Sequence, residues 1–147
     1  MRASSLCNPY RRLMATTLIL VVPLIAGCAA RPGLDPISAQ QKIAELDGLV
    51  VEAAQTALTG ADALRHGAAT PAEVRSRVEA ARERLARARK ALQAIRLDPA
   101  SADKARPVIE RAASLEQALG GLAKALADDG GDLETWLHRI RSLAAGM

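Results

Sequence analysis

Four arginines recur at every seventh residue: Arg75, Arg82, Arg89 and Arg96. Arg77 and Arg84 stand close to the same row. A guanidinium is planar, permanently charged and forked, a shape matched to carboxylate and phosphate oxygens. The chemistry open to this row is therefore the binding of anions. The surrounding apolar residues alternate at spacings of four and three: Val74, Val78, Ala81, Leu85, Ala88, Leu92, Ile95. That is the 3.5-residue period of a coiled-coil seam. With Val74 at heptad position d, the four arginines occupy e and the other two occupy g. The row borders the seam for about 31 Å at 1.5 Å per residue. Residues 71–96 hold eight basic side chains against Glu73, Glu79 and Glu83. The flanks of the other apolar segments offer few acids, chiefly Asp47 and Glu116, so the row is expected to be under-neutralised. It then serves either as a docking stripe for an anionic partner or as a solvated face whose stems cover an alanine seam. The anionic partner would be an acidic protein, phosphate-bearing headgroups or peptidoglycan carboxylates. Nucleic acid does not fit, because no aromatic side chains are interleaved with the arginines to stack on bases.

Other reactive side chains are sparse. His66 and His138 are the only histidines, and neither has a ligand set nearby in the sequence. Asp128, Asp129 and Asp132 lie around Gly130-Gly131, but without the spacing and final glutamate of an EF-hand they read as a helix-ending turn. No phosphate loop, nucleophile motif or His-Glu metal motif is present. The expectation is a protein that is not an enzyme and holds no metal. Trp136 is either the anchor of a short apolar helix or an exposed contact for a partner, since tryptophan is enriched at binding hot spots.

The N-terminus carries the chain's address. Arg2, Arg11 and Arg12 precede an apolar run of 13 residues, Leu13 to Ile25, followed by Ala26-Gly27-Cys28. A span of the bilayer needs roughly 20 apolar residues, so the run reads as a signal peptide rather than a membrane helix. Ile25-Ala26-Gly27-Cys28 resembles the lipobox of bacterial lipoproteins. The resemblance implies cleavage between Gly27 and Cys28 and a diacylglycerol and an N-acyl chain, palmitate among them, on Cys28. It implies no other cofactor. Ala29 after the cysteine, in a Gram-negative cell, implies the outer membrane with the protein facing the periplasm.

Cleavage would leave 120 residues with a net charge of +1, because the leader holds three basic residues and no acidic one. The basic isoelectric point is then mostly targeting chemistry. Cys7 would leave with the leader and Cys28 would be acylated, so no thiol remains for a disulfide or a metal. Trp136 would be the only aromatic residue left, since Tyr10 is removed and there is no Phe. An apolar fraction made of alanine and leucine suits narrow helix seams rather than a wide core.

Three segments open with a capping residue followed by proline: Asp35-Pro36, Thr70-Pro71 and Asp98-Pro99. Proline at the first helical position sacrifices no needed hydrogen bond. Thr70 and Glu73 also complete a capping box. These starts predict helices over 36–65 and 71–96 and a third from 99 that runs to Asp128. The seam of the first is Ile43, Leu46, Val50, Ala53, Ala57, Gly60, Leu64. That of the third is Val108, Ala112, Leu115, Leu119, Leu122, Leu126. Pro107 should bend or delay the third helix, and Gly120-Gly121 in its middle marks either a close helix contact or a hinge. A last helix capped by Asp132 would reach about Ala145, with Leu133, Trp136, Leu137, Ile140 and Leu143 as its apolar face.

The expected fold is all-α: an antiparallel up-down bundle of three long helices with coiled-coil-like seams, plus a short C-terminal helix. The expected organisation is a signal peptide over 1–27, a lipidated tether over 28–35 and a helical bundle over 36–147. The alanine- and arginine-rich run from Gly67 to Leu92 resembles the repeats of small helical envelope lipoproteins. These readings together imply a lipid-anchored periplasmic interaction or scaffold protein. One alternative is a tether between outer membrane and peptidoglycan, as in the trimeric murein lipoproteins, although this chain ends Ala145-Gly146-Met147 and lacks their terminal lysine. Another is a small-ligand binder with a groove between helices.

Overall fold

A computed structural model describes residues 35–128 and 131–145 of the chain. The leader, the cleavage point at Gly27 and Cys28, and the tether up to residue 34 lie outside the described residues, as do Asp129 and Gly130. The described part is all helical: α1 (Pro36–Arg65), α2 (Pro71–Gln93), α3 (Pro99–Ala127) and α4 (Leu133–Ala145).

Each helix starts where its cap dictates. The Asp35 carboxylate accepts from the Ser38 N–H at 2.9 Å, and Asp98 does the same for Ser101 at 3.1 Å. Thr70 and Glu73 form the reciprocal box, with Thr70 N–H donating to Glu73 at 2.8 Å and Glu73 N–H to Thr70 Oγ1 at 3.3 Å. Asp132 accepts from the Thr135 N–H at 3.1 Å. α1 ends in a Schellman turn: Gly67 N–H donates to Leu64 O at 3.1 Å and Ala68 N–H to Ala63 O at 2.8 Å. Gly67 has φ +66°, a conformation that costs a residue bearing a Cβ.

Hydrogen bonds to the ionised caps hold the carboxyls of Asp35, Glu73, Asp98 and Asp132 below their ordinary range, with Ser38, Thr70, Ser101 and Thr135 respectively as the donors. A group whose folded pKa is depressed contributes stability that is present above the unfolded pKa. That stability is lost as pH falls through the lower folded value. The thermal midpoint should therefore hold from neutrality down to about pH 4, the ordinary carboxylate range, and fall below it. The combined variant D35N, D98N, D132N keeps an acceptor at each cap but cannot titrate there. Its acid loss, followed by circular dichroism against pH, should be visibly shallower.

The seams pack as the spacing requires. Val74, Val78, Leu85 and Leu92 of α2 are buried, with Leu46, Val50, Ala53 and Ala57 of α1 and Ala112, Leu115, Leu119 and Leu122 of α3. α3 also buries Ala105, Ala118, Ala123 and Ala125, because it touches all three other helices. α4 packs on α1 and α3 and its backbone stays clear of α2. Its Leu137 and Ile140 enter the core.

Two expectations need correction. α2 ends at Gln93 rather than Arg96. Asp98 must adopt an extended backbone (φ −66°, ψ 160°) ahead of Pro99, and residues 94–97 are spent on turning the chain. α3 begins at Pro99 without delay and continues through the exposed Pro107. Pro107 forfeits the hydrogen bond from residue 107 to the Asp103 carbonyl.

Candidate functional site

The six arginines do not form one uniform stripe. The g-position pair lies toward α1, where Arg84 Nη1 bonds Glu52 Oε1 at 2.7 Å and Arg77 lines the groove between α1 and α2. Members of the e-position row lie toward α3. Arg89 grips Glu116 with two bonds, Nε to Oε1 at 2.6 Å and Nη2 to Oε2 at 3.1 Å. With only 20% and 14% of these side chains exposed, water screens this pair less than any other salt bridge among the described residues. The Glu116 bond raises the Arg89 pKa further, so the charge is fixed at any working pH. Arg75 is drawn back to Glu79 on its own helix at 2.8 Å. Arg96 lies beyond the end of α2.

Arg82 lies across Gly120. A Cβ on that glycine would stand 3.3 Å from the guanidinium carbon. Among the described residues, Arg77, Arg82 and Arg96 have no carboxylate partner. The under-neutralised row of the sequence is thus three separate cations, one of them at a groove.

Of the two acids singled out on the flanks, Glu116 meets the row and Asp47 does not. Asp47 Oδ1 accepts from Arg111 of α3 at 2.9 Å. Glu52 went unnoticed because it sits at a c position of the α1 heptad, outside the usual charge flanks. The signal for it is the alanine pair Ala53 and Ala81 in the facing seams. Small residues let the helix axes approach, so a long arginine reaches one position further round.

The groove beside Arg77 is the most developed hollow on this face, with a volume of about 280 Å³. Leu49, Ala53, Ala81 and Leu85 form its floor, and Thr56, Arg77 and the Glu52–Arg84 pair form its rim. It exists because of which furrow α4 occupies. α4 fills the furrow between α1 and α3 and leaves the one between α1 and α2 uncovered.

Trp136 is half-buried against α3. A Cβ built on Gly121 would overlap its indole ring, so Gly121 is a seat for α4, while Gly120 faces Arg82 of α2. Arg139 lies over the ring at 5.9 Å from its centroid and donates to Gln117 at 3.3 Å. Arg65 of α1 pairs with Glu134 of α4 and ties down its other side. Trp136 therefore packs one face inside the chain and keeps part of its surface open to solvent.

His66 caps α1, its Nδ1 2.7 Å from Asp62 O, and His138 is exposed on α4. Among the described residues no group of three histidine, cysteine or acidic side chains is placed to hold a metal. Asp128 and Asp132 flank the α3–α4 turn, with the Asp132 carboxylate committed to the α4 cap. No described helix is long and apolar enough to cross a membrane. No family model matches the chain, and no curated protein or solved structure matches it either.

Proposed function

We propose that this chain is a lipid-anchored interaction protein of the bacterial cell envelope, held at the periplasmic face of the outer membrane through Cys28. It docks a partner in the groove between α1 and α2 and performs no catalysis. The anchor rests on Ile25-Ala26-Gly27-Cys28. The docking role rests on one observation: α4 covers one apolar furrow of the bundle, while a second is left open beside Arg77, a side chain that makes no salt bridge among the described residues.

The helices of this reading alternate up and down. Leu46 of α1 lines one hollow with Ala88 and Leu92 near the end of α2, whereas Gly60 near the end of α1 meets Val74 near the start of α2. The charge pairs agree. Arg89 and Glu116 both occupy e positions, the pairing of opposed helices, whereas Arg111 at g and Asp47 at e pair as in helices running the same way.

An occupant that copies what α4 does to its own furrow is a short amphipathic helix. Its apolar face must be narrow enough for the alanine floor, and an acidic residue beside that face would meet Arg77. A pocket for a drug-sized molecule normally offers about 300–1,000 Å³ and encloses most of the ligand. This groove lies at the lower edge of that range and is only partly enclosed, which suits the side of a helix better than a ligand that must be surrounded.

A photo-crosslinking residue at Ala80, on the groove wall, should trap a partner in intact cells. The same residue at Arg141, on α4, should not. Adding Arg77→Gln should weaken the Ala80 adduct severalfold and remove its sensitivity to salt. Equal yields at positions 80 and 141, or no adduct at either, would overturn the docking role.

A further inference from the structure

The opposite resource of the fold is its first-turn end, where α1 begins and α2 passes into α3. Ile37 is 70% exposed in the first turn of α1, the one large apolar side chain among the described residues so open to solvent. At the same end a hollow of about 510 Å³ opens between the α2–α3 connection and the first turns of α3, lined by Leu92, Ile95, Leu97, Ala102 and Ile109. Lys42 and Leu46 of α1 share a neighbouring hollow with Leu92, which puts the start of α1 beside this connection. Two exposed cations, Arg96 and Lys104, stand here without a carboxylate partner among the described residues. The nearby acids are committed: Asp103 to Arg106 at 3.1 Å, and Asp35 and Asp98 to the helix caps. Glu110 on the wall of the hollow is the exception.

We infer that this end of the bundle seats on the surface of the bilayer that holds the Cys28 acyl chains, with Ile37 and the Ile95–Leu97 connection in the interfacial layer and Arg96 and Lys104 among lipid phosphates. The inference rests on the lipid anchor proposed above. Cys28 stands nine residues before Ile37. Whatever path the chain takes between them, nine residues span at most about 32 Å. The first turn of α1 is therefore held within about 32 Å of the anchor, while the turn at Gly67 lies ~45 Å from it along the 30 residues of α1. Branched apolar side chains beside cations are the combination that an anionic interface binds. The groove between α1 and α2 would then run away from the bilayer, open to the periplasm.

The test uses the full-length lipidated protein, extracted from membranes and reconstituted in vesicles of phosphatidylethanolamine and phosphatidylglycerol. Acylation occupies Cys28, so Ile37→Cys, Ala94→Cys and Ala68→Cys each supply a single thiol for a nitrobenzoxadiazole label. The labels at 37 and 94 should shift to the blue and be quenched by doxyl-labelled lipid several times more than the label at 68. If the protein floats with the vesicles, carries its acyl mass and yet shows no lipid quenching at 37 or 94, the seat is wrong and the anchor stands. Blue shifts without lipid quenching would mean that a protein, a second copy included, covers this end, and would also overturn the seat. Equal quenching at 68 would mean a bundle lying flat, with the same consequence. A protein that neither floats nor carries acyl mass on Cys28 overturns the anchor and the seat with it.

Discussion

Gly121→Ala should destabilise the bundle, although alanine is the better helix former by up to about 1 kcal/mol. The added methyl meets the indole of Trp136, a rigid ring that cannot swing aside as a flexible chain end would. Overpacking of this kind costs about 1–3 kcal/mol, so the collision outweighs the propensity gain. Taking the middle of that cost against the full propensity gain, the net loss is about 1 kcal/mol, or roughly 4 °C in the unfolding midpoint for a domain of this size. Gly48→Ala is the matched control. Nothing stands within 4 Å of a Cβ at that position, so the same change should raise stability by up to about 1 kcal/mol. Trp136 is the only tryptophan in the chain, and its emission reports the site directly. Gly121→Ala should shift it to the red before global unfolding, as the ring leaves its seat. In a double-mutant cycle with Trp136→Leu, the penalty at 121 should largely vanish. If Gly121→Ala and Gly48→Ala move the midpoint in the same direction, the seat does not exist.

Much of the helix pattern was legible because it is written in local chemistry. Asp35, Thr70 and Asp98 each precede a proline, and the helices start there. Val74, Val78, Leu85 and Leu92 repeat at the seam period, and they are buried. What lay beyond the sequence depends on how helices meet. Gly120-Gly121 reads in the sequence as either a close helix contact or a hinge, and which helices it meets is settled only when Arg82 and Trp136 are placed over it. The arginine row is a regular repeat in one dimension. In the fold, Arg89 is neutralised by α3, Arg75 by its own helix and Arg84 by α1, because each acid is supplied by a different neighbour. The open groove could not be read from spacing either. A 13-residue helix lies in the other furrow, where Gly121 seats Trp136 and Arg65 pairs with Glu134. Neither contact lies in the candidate site.

Cys28→Ser should release the protein from the membrane almost completely. Burial of an acyl chain contributes about 0.8 kcal/mol per methylene, and two chains are needed for stable attachment. No described helix could replace them by spanning the bilayer. The few side chains at the first-turn end, Ile37, Arg96 and Lys104 among them, are worth only a weak, salt-sensitive association once the chains are gone. The experiment needs care with the leader. Leu13 to Ile25 is apolar enough to hold an uncleaved chain in the membrane by itself, so Cys28→Ser must be made behind a leader that is cut without a cysteine. The expected result is a shift from the membrane pellet to the periplasmic extract of more than about a hundredfold, with the helical signal and thermal midpoint unchanged. Capture at Ala80 should survive in the released protein if the partner is itself periplasmic, because the groove belongs to the bundle and not to the anchor. If Cys28→Ser stays in the pellet through a high-salt wash with its leader removed, attachment does not depend on the lipobox. The search for what holds this protein at the envelope would then move to the groove and its partner.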